Sequence, residues 1–419
     1  MNSNQQQFRW LSTQLPDDRS RRLVVLTGAR QTGKTTLARV QYSDRPYLNL
    51  DEIELRDQLR QLPTRRWGDV VGDAVLDEAQ KEPTVFDKVK FAYDAGDIRF
   101  TLLLGPSRIM LMKRVTETLA GRAFIYELWP LMPSELLQAA AAGPPGRPLL
   151  DRLLDHEPDE VLTSEAPVLL GEQDLIRREA VDHLARWGGM PELLRLDESQ
   201  RQRWLLSYQQ AWIERDLRDL ANLPDIEAFR RLQRVAMLRC GCLLNHAELG
   251  RDAQVSAPTV RSYLGWLYLG FQVIELQPFA RNLTSSVVKT PKLYWTDLGL
   301  LREATGQRGP LSGELFETLV VSEVHKWLRT MGRTEEMRFY RTRSGLELDL
   351  LLGNDENGWL GLECKMRDRV HNSDLRAMRK VADALGDGWR GGLLVHRGTA
   401  IELLDSDRSI WGVPLHRLF

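Results

Sequence analysis

The chain has 419 residues, a length typical of roughly two to four domains, and 42% of them are hydrophobic. Its 57 Lys and Arg residues nearly balance 58 Asp and Glu residues, which leaves a net charge of −1. These values exclude a disordered chain and a uniformly basic nucleic-acid coat protein, although they still allow a local basic face.

Cysteine content and hydropathy favour a cytoplasmic protein with no membrane partner. Three cysteines are too few for a disulfide framework, and Cys240 and Cys242 are expected to be core thiols. No apolar run reaches the ~20 residues that span a bilayer. The N-terminal segment, MNSNQQQFRWLSTQL, lacks the apolar centre of a signal peptide.

The first part of the chain alternates short apolar runs with helix-like segments. The runs lie at residues 23–27, 47–50, 74–76, 100–104 and 123–126. Such alternation predicts an α/β domain with a parallel sheet covered on both faces. An Ala, Gly and Pro-rich stretch at 139–148 follows, so we place this domain at 1–148.

A phosphate-binding motif lies after the first predicted strand and opens the first predicted helix. GARQTGKT, at residues 28–35, matches G-x-x-x-x-G-K-[ST] without a mismatch. Gly28 and Gly33 let backbone amides turn toward a phosphate. Lys34 would reach the β- and γ-phosphates of ATP, and the Thr35 hydroxyl would bind Mg²⁺. We add Thr36, the next residue, to the expected ATP-binding residues.

Two acidic residues follow the apolar run at 74–76. Asp77 is expected to hold Mg²⁺ through water, and Glu78 to polarise the attacking water. An acidic N-cap for the next helix is the alternative interpretation. Together with the phosphate-binding loop, the pair predicts ATP hydrolysis rather than nucleotide binding alone.

The middle of the chain is predicted to be helical, with aromatic residues at helical spacing around Trp204, Tyr208 and Trp212. From residue 245 to 279 the pattern predicts a short helix, a turn, a second helix and apolar strands. Thr259, Arg261 and Ser262 would face outward at the start of the second helix. Short polar and basic side chains there suit DNA contact, and a packing module is the alternative.

The C-terminal part is predicted to begin with a helix at 313–330. Strands at 347–352 and 360–365, a helix near 375–385 and a strand at 392–396 follow it. Helix-like and strand-like segments therefore alternate in this part of the chain.

Several motifs resemble the bacterial and archaeal AAA+ type P-loop ATPases that carry a C-terminal nuclease-like domain. They are GARQTGKTTL, LDEAQ, LAGRAFIYELWPLMPSEL, GGMPELL, WIERDL, PKLYWTDLGLL, GELFETLV, FYRTRSGLELDLLL and LGLECK. The resemblance implies an ATPase core at 1–148, a helical lid at 149–240, a winged-helix-like segment at 241–300 and a PD-(D/E)xK (restriction-endonuclease-like) nuclease domain at 301–419.

The same resemblance suggests further site residues. Ser107 keeps the hydroxyl with which such proteins sense the γ-phosphate. Arg122, in LAGR, is similar to an arginine that completes a neighbouring subunit's site, and Arg108 is the alternate. Glu317, in GELFETLV, is similar to an acidic residue that many of these nucleases add to their metal shell.

A second group of chemically suited residues lies near the C-terminus. Asp349 lies in one predicted strand, and Glu363 and Lys365 lie in the next. Residues two apart in a strand share a face, so Glu363 and Lys365 point together and Cys364 points away. Two carboxylates beside a lysine can bind Mg²⁺ and hydrolyse a phosphodiester. A solvated hairpin with ordinary surface charges is the alternative. Arg341 and Arg343, near the first of these strands, are the expected phosphate contacts.

The sequence therefore supports three hypotheses about function. The first is a Mg²⁺-dependent ATPase that couples ATP hydrolysis to remodelling or cleaving DNA. Such a protein would assemble as a homo-oligomer in a hexamer-like ring, and branched DNA and DNA ends are its candidate substrates. The second is a nucleotide-switched DNA-binding scaffold or regulator whose nuclease-like domain is catalytically silent. The third is a signalling ATPase with a protein partner and no DNA affinity.

Overall fold

The N-terminal part folds around a parallel sheet, as the sequence predicts. The computed structural model describes residues 7–105, 117–137, 144–216, 225–279 and 290–419. Five strands are hydrogen-bonded in the order β2-β3-β4-β1-β5, and every pair is parallel. Their bounds are Arg22–Thr27 (β1), Tyr47–Asn49 (β2), Ala74–Asp77 (β3), Phe100–Leu104 (β4) and Ala123–Glu127 (β5).

Helices pack on both faces of this sheet because its interior strands are apolar on both sides, as β1 shows. Leu23 and Val25 of β1 lie in one apolar core, whereas Val24 and Leu26 lie in another. The accompanying helices are Lys34–Gln41 (α1), Ile53–Gln61 (α2), Trp67–Val70 (α3), Thr84–Ala95 (α4) and Pro133–Leu136 (α5).

The middle region is helical, which confirms that prediction. Asp197 accepts a hydrogen bond from the Gln200 amide and so caps one helix, and Asp225 caps another through the Ala228 amide. A π-helical turn follows at Trp212–Asp216. The helices are Leu149–Asp155 (α6), Pro158–Thr163 (α7), Glu172–Trp187 (α8), Glu198–Ala211 (α9) and Ile226–Leu238 (α10).

Two further helices, an antiparallel strand pair and a third helix come next. On the second helix Val260, Leu264 and Leu267 face inward, while Arg261 and Ser262 are exposed, as predicted. The elements are His246–Ala253 (α11), Ala257–Leu269 (α12), Val273–Pro278 (β6), Lys292–Trp295 (β7) and Leu298–Thr305 (α13). Short 3-10 turns occur at Trp10–Thr13, Thr64–Arg66, Ala79–Lys81, Pro191–Arg195, Asn372–Leu375 and Gly386–Gly388.

The C-terminal part contains an α-β-β-β-α-β unit followed by two strands and a short helix. Its elements are Gly313–Met331 (α14), Glu336–Arg341 (β8), Glu347–Asn354 (β9), Gly358–Lys365 (β10), Arg376–Leu385 (α15), Trp389–His396 (β11), Glu402–Asp405 (β12), Ile410–Pro414 (β13) and Leu415–Leu418 (α16). β8, β9 and β10 are antiparallel neighbours, and β11 joins β10 in parallel.

This sheet continues across the domain boundary expected at residue 300. Its eight strands run in the order β12-β13-β11-β10-β9-β8-β6-β7, because β6 pairs in parallel with β8. The strand pair of the expected winged-helix-like segment is therefore an extension of the C-terminal sheet.

The helical region and the C-terminal sheet also share one large apolar core. Within it the Trp10 and Trp327 rings meet edge to face, with centroids 5.2 Å apart. Among the described residues, no helix combines the length and apolarity needed to cross a membrane.

Candidate active sites

The phosphate-binding loop lies between β1 and α1, as predicted. β1 ends at Thr27, and α1 begins at Lys34 with Gly33 as its N-cap. Gly28 and Gly33 have φ values of 148° and 97°. A Cβ at Gly28 would lie 2.2 Å from the carbonyl oxygen of Leu128, which excludes any larger residue. The loop thus has the open backbone and helix N-terminus that suit phosphate binding.

The lysine and threonines of the motif lie at the start of α1. Lys34 Nζ donates hydrogen bonds to the carbonyl oxygens of Gly28 (2.9 Å) and Ala29 (2.7 Å), so its ammonium lies against the loop. Thr35 and Thr36 are both exposed in the first turn of the helix. These side chains are therefore accessible to a nucleotide.

Asp77 is hydrogen-bonded to Thr35, the residue predicted to bind Mg²⁺ together with it. Its Oδ2 accepts hydrogen bonds from Thr35 Oγ1 (2.6 Å) and from the Tyr47 hydroxyl (2.7 Å), and its Oδ1 accepts one from the Glu78 amide (2.9 Å). Tyr47 was not predicted from the sequence. Burial, and then the hydrogen bond to Asp77, raise the pKa of Tyr47 above its usual range, so its hydroxyl stays protonated and donates.

The backbone of Glu78 is strained. Its φ of 53° lies in the left-handed region, which non-glycine residues seldom adopt. The side chain of Gln80, two residues on, donates to Glu78 Oε2 at 2.5 Å. Strain of this kind is concentrated at functional sites, and the Gln80 hydrogen bond holds the predicted catalytic carboxylate in place.

A buried arginine that the sequence analysis missed supports the loop from the N-terminal segment. Arg9 is 9% exposed, and its guanidinium donates to the carbonyl oxygens of Thr32 (2.6 Å) and Trp129 (2.5 Å). It also lies 3.3 Å from the Glu135 carboxylate. The contacts to Trp129 and Glu135 join residues more than a hundred positions apart, so no local motif indicates them.

Arg122 lies at the other end of the sheet from this site. It immediately precedes β5, whose first residue pairs with Leu23 near the start of β1, whereas the loop follows the end of β1. The guanidinium binds the Asp94 carboxylate through two contacts, of 2.7 and 3.0 Å. A role for Arg122 in its own subunit's site is excluded by this placement, and a role in a neighbour's site stays a prediction. Ser107 and Arg108 lie outside the described residues.

The acidic residues predicted near the C-terminus are brought together by β9 and β10. Asp349 Oδ2 accepts a hydrogen bond from the Cys364 amide (2.8 Å), which ties the two strands. Glu363 Oε1 accepts one from Lys365 Nζ (2.6 Å), so these two side chains share a face as expected. Cys364 is buried in the apolar core on the opposite side.

Glu317 reaches the same pocket from α14, where β7 supplies it with two partners. Lys292 Nζ donates to Glu317 Oε1 (2.8 Å), and so does the Tyr294 hydroxyl. Lys292 also forms an ion pair with Glu347. The sequence analysis missed Lys292 and Tyr294, although their spacing in KLYW places both polar groups on one face of a short strand.

The carboxyl groups of this pocket have raised pKa values. Burial and the neighbouring Glu363 carboxylate raise the pKa of Asp349 to about 7. Burial and Asp349 raise the pKa of Glu317 to about 7. Burial also raises the pKa of Glu363, against the lowering effect of Lys365. The acids therefore repel one another, and an added cation would relieve that repulsion.

The pocket has a volume of about 580 Å³, and all three predicted acids and the predicted lysine line it. Arg341 lines it too and pairs with Glu347 at 2.9 Å, whereas Arg343 is exposed in the following turn. Cys240 is buried as expected. The expectation for Cys242 is wrong, because this thiol is exposed and lines the pocket rather than the core.

No group of three or more His, Cys, Asp or Glu side chains is arranged to hold a metal ion within the part of the chain that the structure describes. In the C-terminal pocket the reason is visible, because Lys292 lies among the carboxylates and Lys365 holds one oxygen of Glu363. The metal-binding roles predicted for Glu317, Asp349 and Glu363 stay predictions.

Three family models match successive parts of the chain. Residues 20–137 match the AAA domain, residues 178–310 match a domain of unknown function (DUF8612), and residues 312–418 match a second domain of unknown function (DUF4143).

Two curated mycobacterial proteins are similar to most of the chain. They are the uncharacterized proteins Mb2031c of Mycobacterium bovis and Rv2008c of Mycobacterium tuberculosis. Each is 27% identical over 338 residues, which cover 78% of this chain and 67% of the relative.

Two solved structures show a distant likeness. One is a Signal Transduction ATPase with Numerous Domains protein with a tetratricopeptide repeat sensor from Pyrococcus horikoshii, with a TM-score of 0.22 and 12% identity over 76% of this chain and 46% of that chain. The other is an assembly of Thermococcus gammatolerans McrB AAA+ hexamers with bound McrC, with a TM-score of 0.20 and 13% identity over 69% of this chain and 74% of that chain.

The class of the N-terminal part follows from the family match together with its site. A parallel sheet, a phosphate-binding loop and a hydrogen bond between Thr35 at the start of α1 and Asp77 at the end of β3 define a P-loop ATPase domain of the AAA type. Membership of this class supports ATP hydrolysis, and domains of this class bind ATP, usually with Mg²⁺.

Proposed function

We propose that the protein is a Mg²⁺-dependent ATPase that binds DNA and couples ATP hydrolysis to remodelling or cleaving it. The observation that carries the DNA part of this proposal is the convergence of Asp349, Glu363 and Lys365 in one open pocket. They lie on the second and third strands of the α-β-β-β-α-β unit, within the part of the chain whose motifs resemble PD-(D/E)xK nucleases.

The ATPase site would work through four side chains of the N-terminal domain. Lys34 binds the β- and γ-phosphates, and Thr35 and Asp77 hold Mg²⁺. Their hydroxyl and carboxylate oxygens already meet at 2.6 Å, so the donor set fits a hard cation. Glu78, oriented by its strained backbone and by Gln80, polarises the attacking water.

The C-terminal pocket offers a free carboxylate oxygen to a divalent metal. Glu363 Oε2 is buried and has no hydrogen-bond partner within the described ranges. Mg²⁺ is commonly bound by one or two carboxylates together with substrate phosphates, so Asp349 and Glu363 suffice. When bound, such an ion lowers the pKa of water and offsets phosphate charge.

The neighbouring cations of the pocket would act on the phosphodiester itself. Lys365 Nζ lies beside Glu363, where it can orient the attacking water or stabilise negative charge on the phosphate. Arg341 at the pocket's edge and the exposed Arg343 can contact flanking phosphates. Arg261, exposed on α12, is a further candidate for DNA contact.

Assembly into a homo-oligomeric, hexamer-like ring is part of the same proposal. Arg122 lies on the opposite end of the sheet from its own phosphate-binding loop, so it could complete only a neighbouring copy's site. The ion pair between Arg122 and Asp94 would then have to break when copies associate.

The three free cysteines agree with a reducing compartment such as the cytoplasm.

The experiment that tests the DNA activity is cleavage of linear, single-stranded and branched DNA in Mg²⁺ or Mn²⁺. Wild type should cleave at least one of them, and Asp349→Asn should abolish cleavage without changing ATP turnover. Asp387→Asn is the matched control, because Asp387 is exposed in the same unit and outside the pocket. Failure of wild type to cleave any substrate with either metal would overturn the nuclease assignment.

A second candidate function is favoured by Lys292. This ammonium is only 3% exposed and pairs with both Glu317 and Glu347, so it supplies an internal cation to the acid cluster. Their carboxylates raise the pKa of Lys292 above its usual range despite the opposing effect of burial, which keeps it charged. The C-terminal unit would then hold DNA without cutting it, as a nucleotide-switched scaffold or regulator. ATP-dependent, salt-sensitive DNA binding without product is its signature.

A further inference from the structure

A cavity of about 450 Å³ lies outside both candidate active sites. It is bounded by the helices α8, α13, α14 and α16, by the segment that precedes α14 and by the end of β11. The charged groups lining it, other than its histidines, are five arginines and one carboxylate, namely Arg178, Arg186, Arg302, Arg308, Arg397 and Asp182. The cavity is therefore strongly cationic, in a protein whose net charge is −1.

Arg302 is a buried cation with no acid beside it. It is 8% exposed, and its guanidinium donates to three backbone carbonyl oxygens, those of Gln307 (2.9 Å), Ala185 (2.9 Å) and Gly309. Within the described ranges it forms no ion pair. Burial, and then Arg186, lower the pKa of Arg302. An uncompensated buried charge is costly, and an anion in the cavity would offset that cost.

Arg397 adds a second guanidinium without an acidic partner in the described parts of the chain. It is exposed directly after β11 and lines the same cavity. The other three arginines already have acidic partners, in the pairs Arg178–Asp174, Arg186–Glu198 and Arg308–Glu303. Two positive charges therefore remain available, against the single carboxylate of Asp182.

Apolar side chains complete the lining of the cavity. Leu311, Phe316 and Leu319 are among them. A concave site of a few hundred Å³ that combines apolar walls with a small number of fixed polar groups is typical of small-molecule binding. The lining thus suits a ligand with one anionic end and one apolar end.

We propose that this cavity binds a small organic phosphate, whose phosphate group contacts Arg302 and Arg397 and whose apolar body packs on Phe316 and Leu319. A guanidinium group can bind two phosphate oxygens at once. Two guanidinium groups together match the double negative charge of a phosphate monoester. The proposal is independent of the function proposed for the acid pocket.

The test is calorimetric titration of phenyl phosphate into the full chain carrying Lys34→Ala, which removes the lysine of the nucleotide site. We expect one site per chain, with an affinity at least about tenfold above that of inorganic phosphate because the ring is buried. Adding Arg397→Gln should weaken binding about tenfold, since it removes a charge-assisted contact. Arg65→Gln, an exposed arginine outside the cavity, should leave the affinity unchanged.

Arg302→Lys provides a second variant that keeps the buried charge but loses the planar fork, and it should also weaken binding about tenfold. Should Arg302→Lys fail to fold, as judged by circular dichroism, the Arg397→Gln result decides alone. The proposal is overturned if phenyl phosphate shows no saturable binding at millimolar concentration. Equal affinity in the parent and the Arg397→Gln variant would overturn it as well.

Discussion

The nucleotide site and the C-terminal acid pocket are built in different ways. The nucleotide site takes most of its side chains from residues 28–36 and the rest from the start of β2 and the end of β3. The acid pocket collects its side chains from α14 and from β7, β9 and β10. A site whose residues lie in one segment can be recognised as a sequence motif. A site assembled from distant segments depends on side-chain contacts that the sequence pattern does not predict.

The two sites also differ in how their charges are balanced. In the nucleotide site Lys34 contacts neutral carbonyl groups, and Asp77 accepts hydrogen bonds from hydroxyl groups. In the acid pocket Lys292 and Lys365 each contact carboxylates directly. The first site is thus ready for an anionic ligand and its cation, whereas in the second a metal must compete with resident ammonium groups.

The largest expected effect concerns the nucleotide site. Lys34→Ala should lower ATP turnover by roughly a hundredfold or more, because it removes the cation that stabilises charge on the transferring phosphoryl group. Phosphate release at saturating Mg²⁺–ATP measures it, with Lys380→Ala as a control on an exposed lysine of the C-terminal part. Undiminished turnover in Lys34→Ala would remove the basis for calling this an ATPase site.

Replacing Arg9, which supports the phosphate-binding loop, should have the next largest effect. Arg9→Met removes an ion pair to the buried Glu135 carboxylate and two hydrogen bonds to backbone carbonyl oxygens, and should lower the free energy of unfolding by about 3 kcal/mol. It should also raise the KM for ATP, because Thr32 and the loop lose their anchor. Urea unfolding measures the stability, with Arg65→Met as the control. A loss below about 0.5 kcal/mol, typical of a surface change, would show that Arg9 does not hold the loop.

The competition at the acid pocket can be measured through Lys292. Lys292→Met removes the ammonium between Glu317 and Glu347, and should increase Mn²⁺ affinity about tenfold because the carboxylates lose their internal cation. Electron paramagnetic resonance of free Mn²⁺ reports the affinity in nucleotide-free protein, and Lys380→Met is the control. Unchanged Mn²⁺ affinity would contradict the view that Lys292 occupies the place of a metal.

The smallest expected effect is that of Tyr47. Tyr47→Phe removes one hydrogen bond to Asp77 and should raise the KM for Mg²⁺–ATP about threefold, with little change in kcat. Steady-state kinetics over a range of Mg²⁺ concentrations measures it. A large loss of kcat instead would mean that the tyrosine acts in the chemical step.

The sequence indicated where the nucleotide site lies because most of its chemistry is local, and the roles of its residues stay predictions. The motif at residues 28–35 carries its own backbone requirements, and its strand and helix context lies on either side of it. Arg9 and Tyr47 escaped prediction because their contacts depend on how distant segments pack. The strands of the parallel sheet were found for the same local reason, as continuous apolar runs.

The sequence predicted only part of the acid pocket. Asp349, Glu363 and Lys365 follow from strand periodicity, and their shared pocket agrees with that. Lys292 lies on a strand that the sequence assigned to a separate segment, so its pairing with Glu317 could not be foreseen. The exposure of Cys242 has the same origin, since the pocket's edge is formed by elements far apart in the chain.

The claim that the chain contains two metal-dependent sites is tested most directly by anomalous diffraction from crystals grown with Mn²⁺ and ATP. We predict one peak at Thr35 and Asp77 and a second at Asp349 and Glu363. The first peak serves as the internal control for metal loading. A crystal that shows the first peak and no second one, at a Mn²⁺ concentration that saturates the first site, would contradict the account of the C-terminal pocket as a metal-dependent hydrolase.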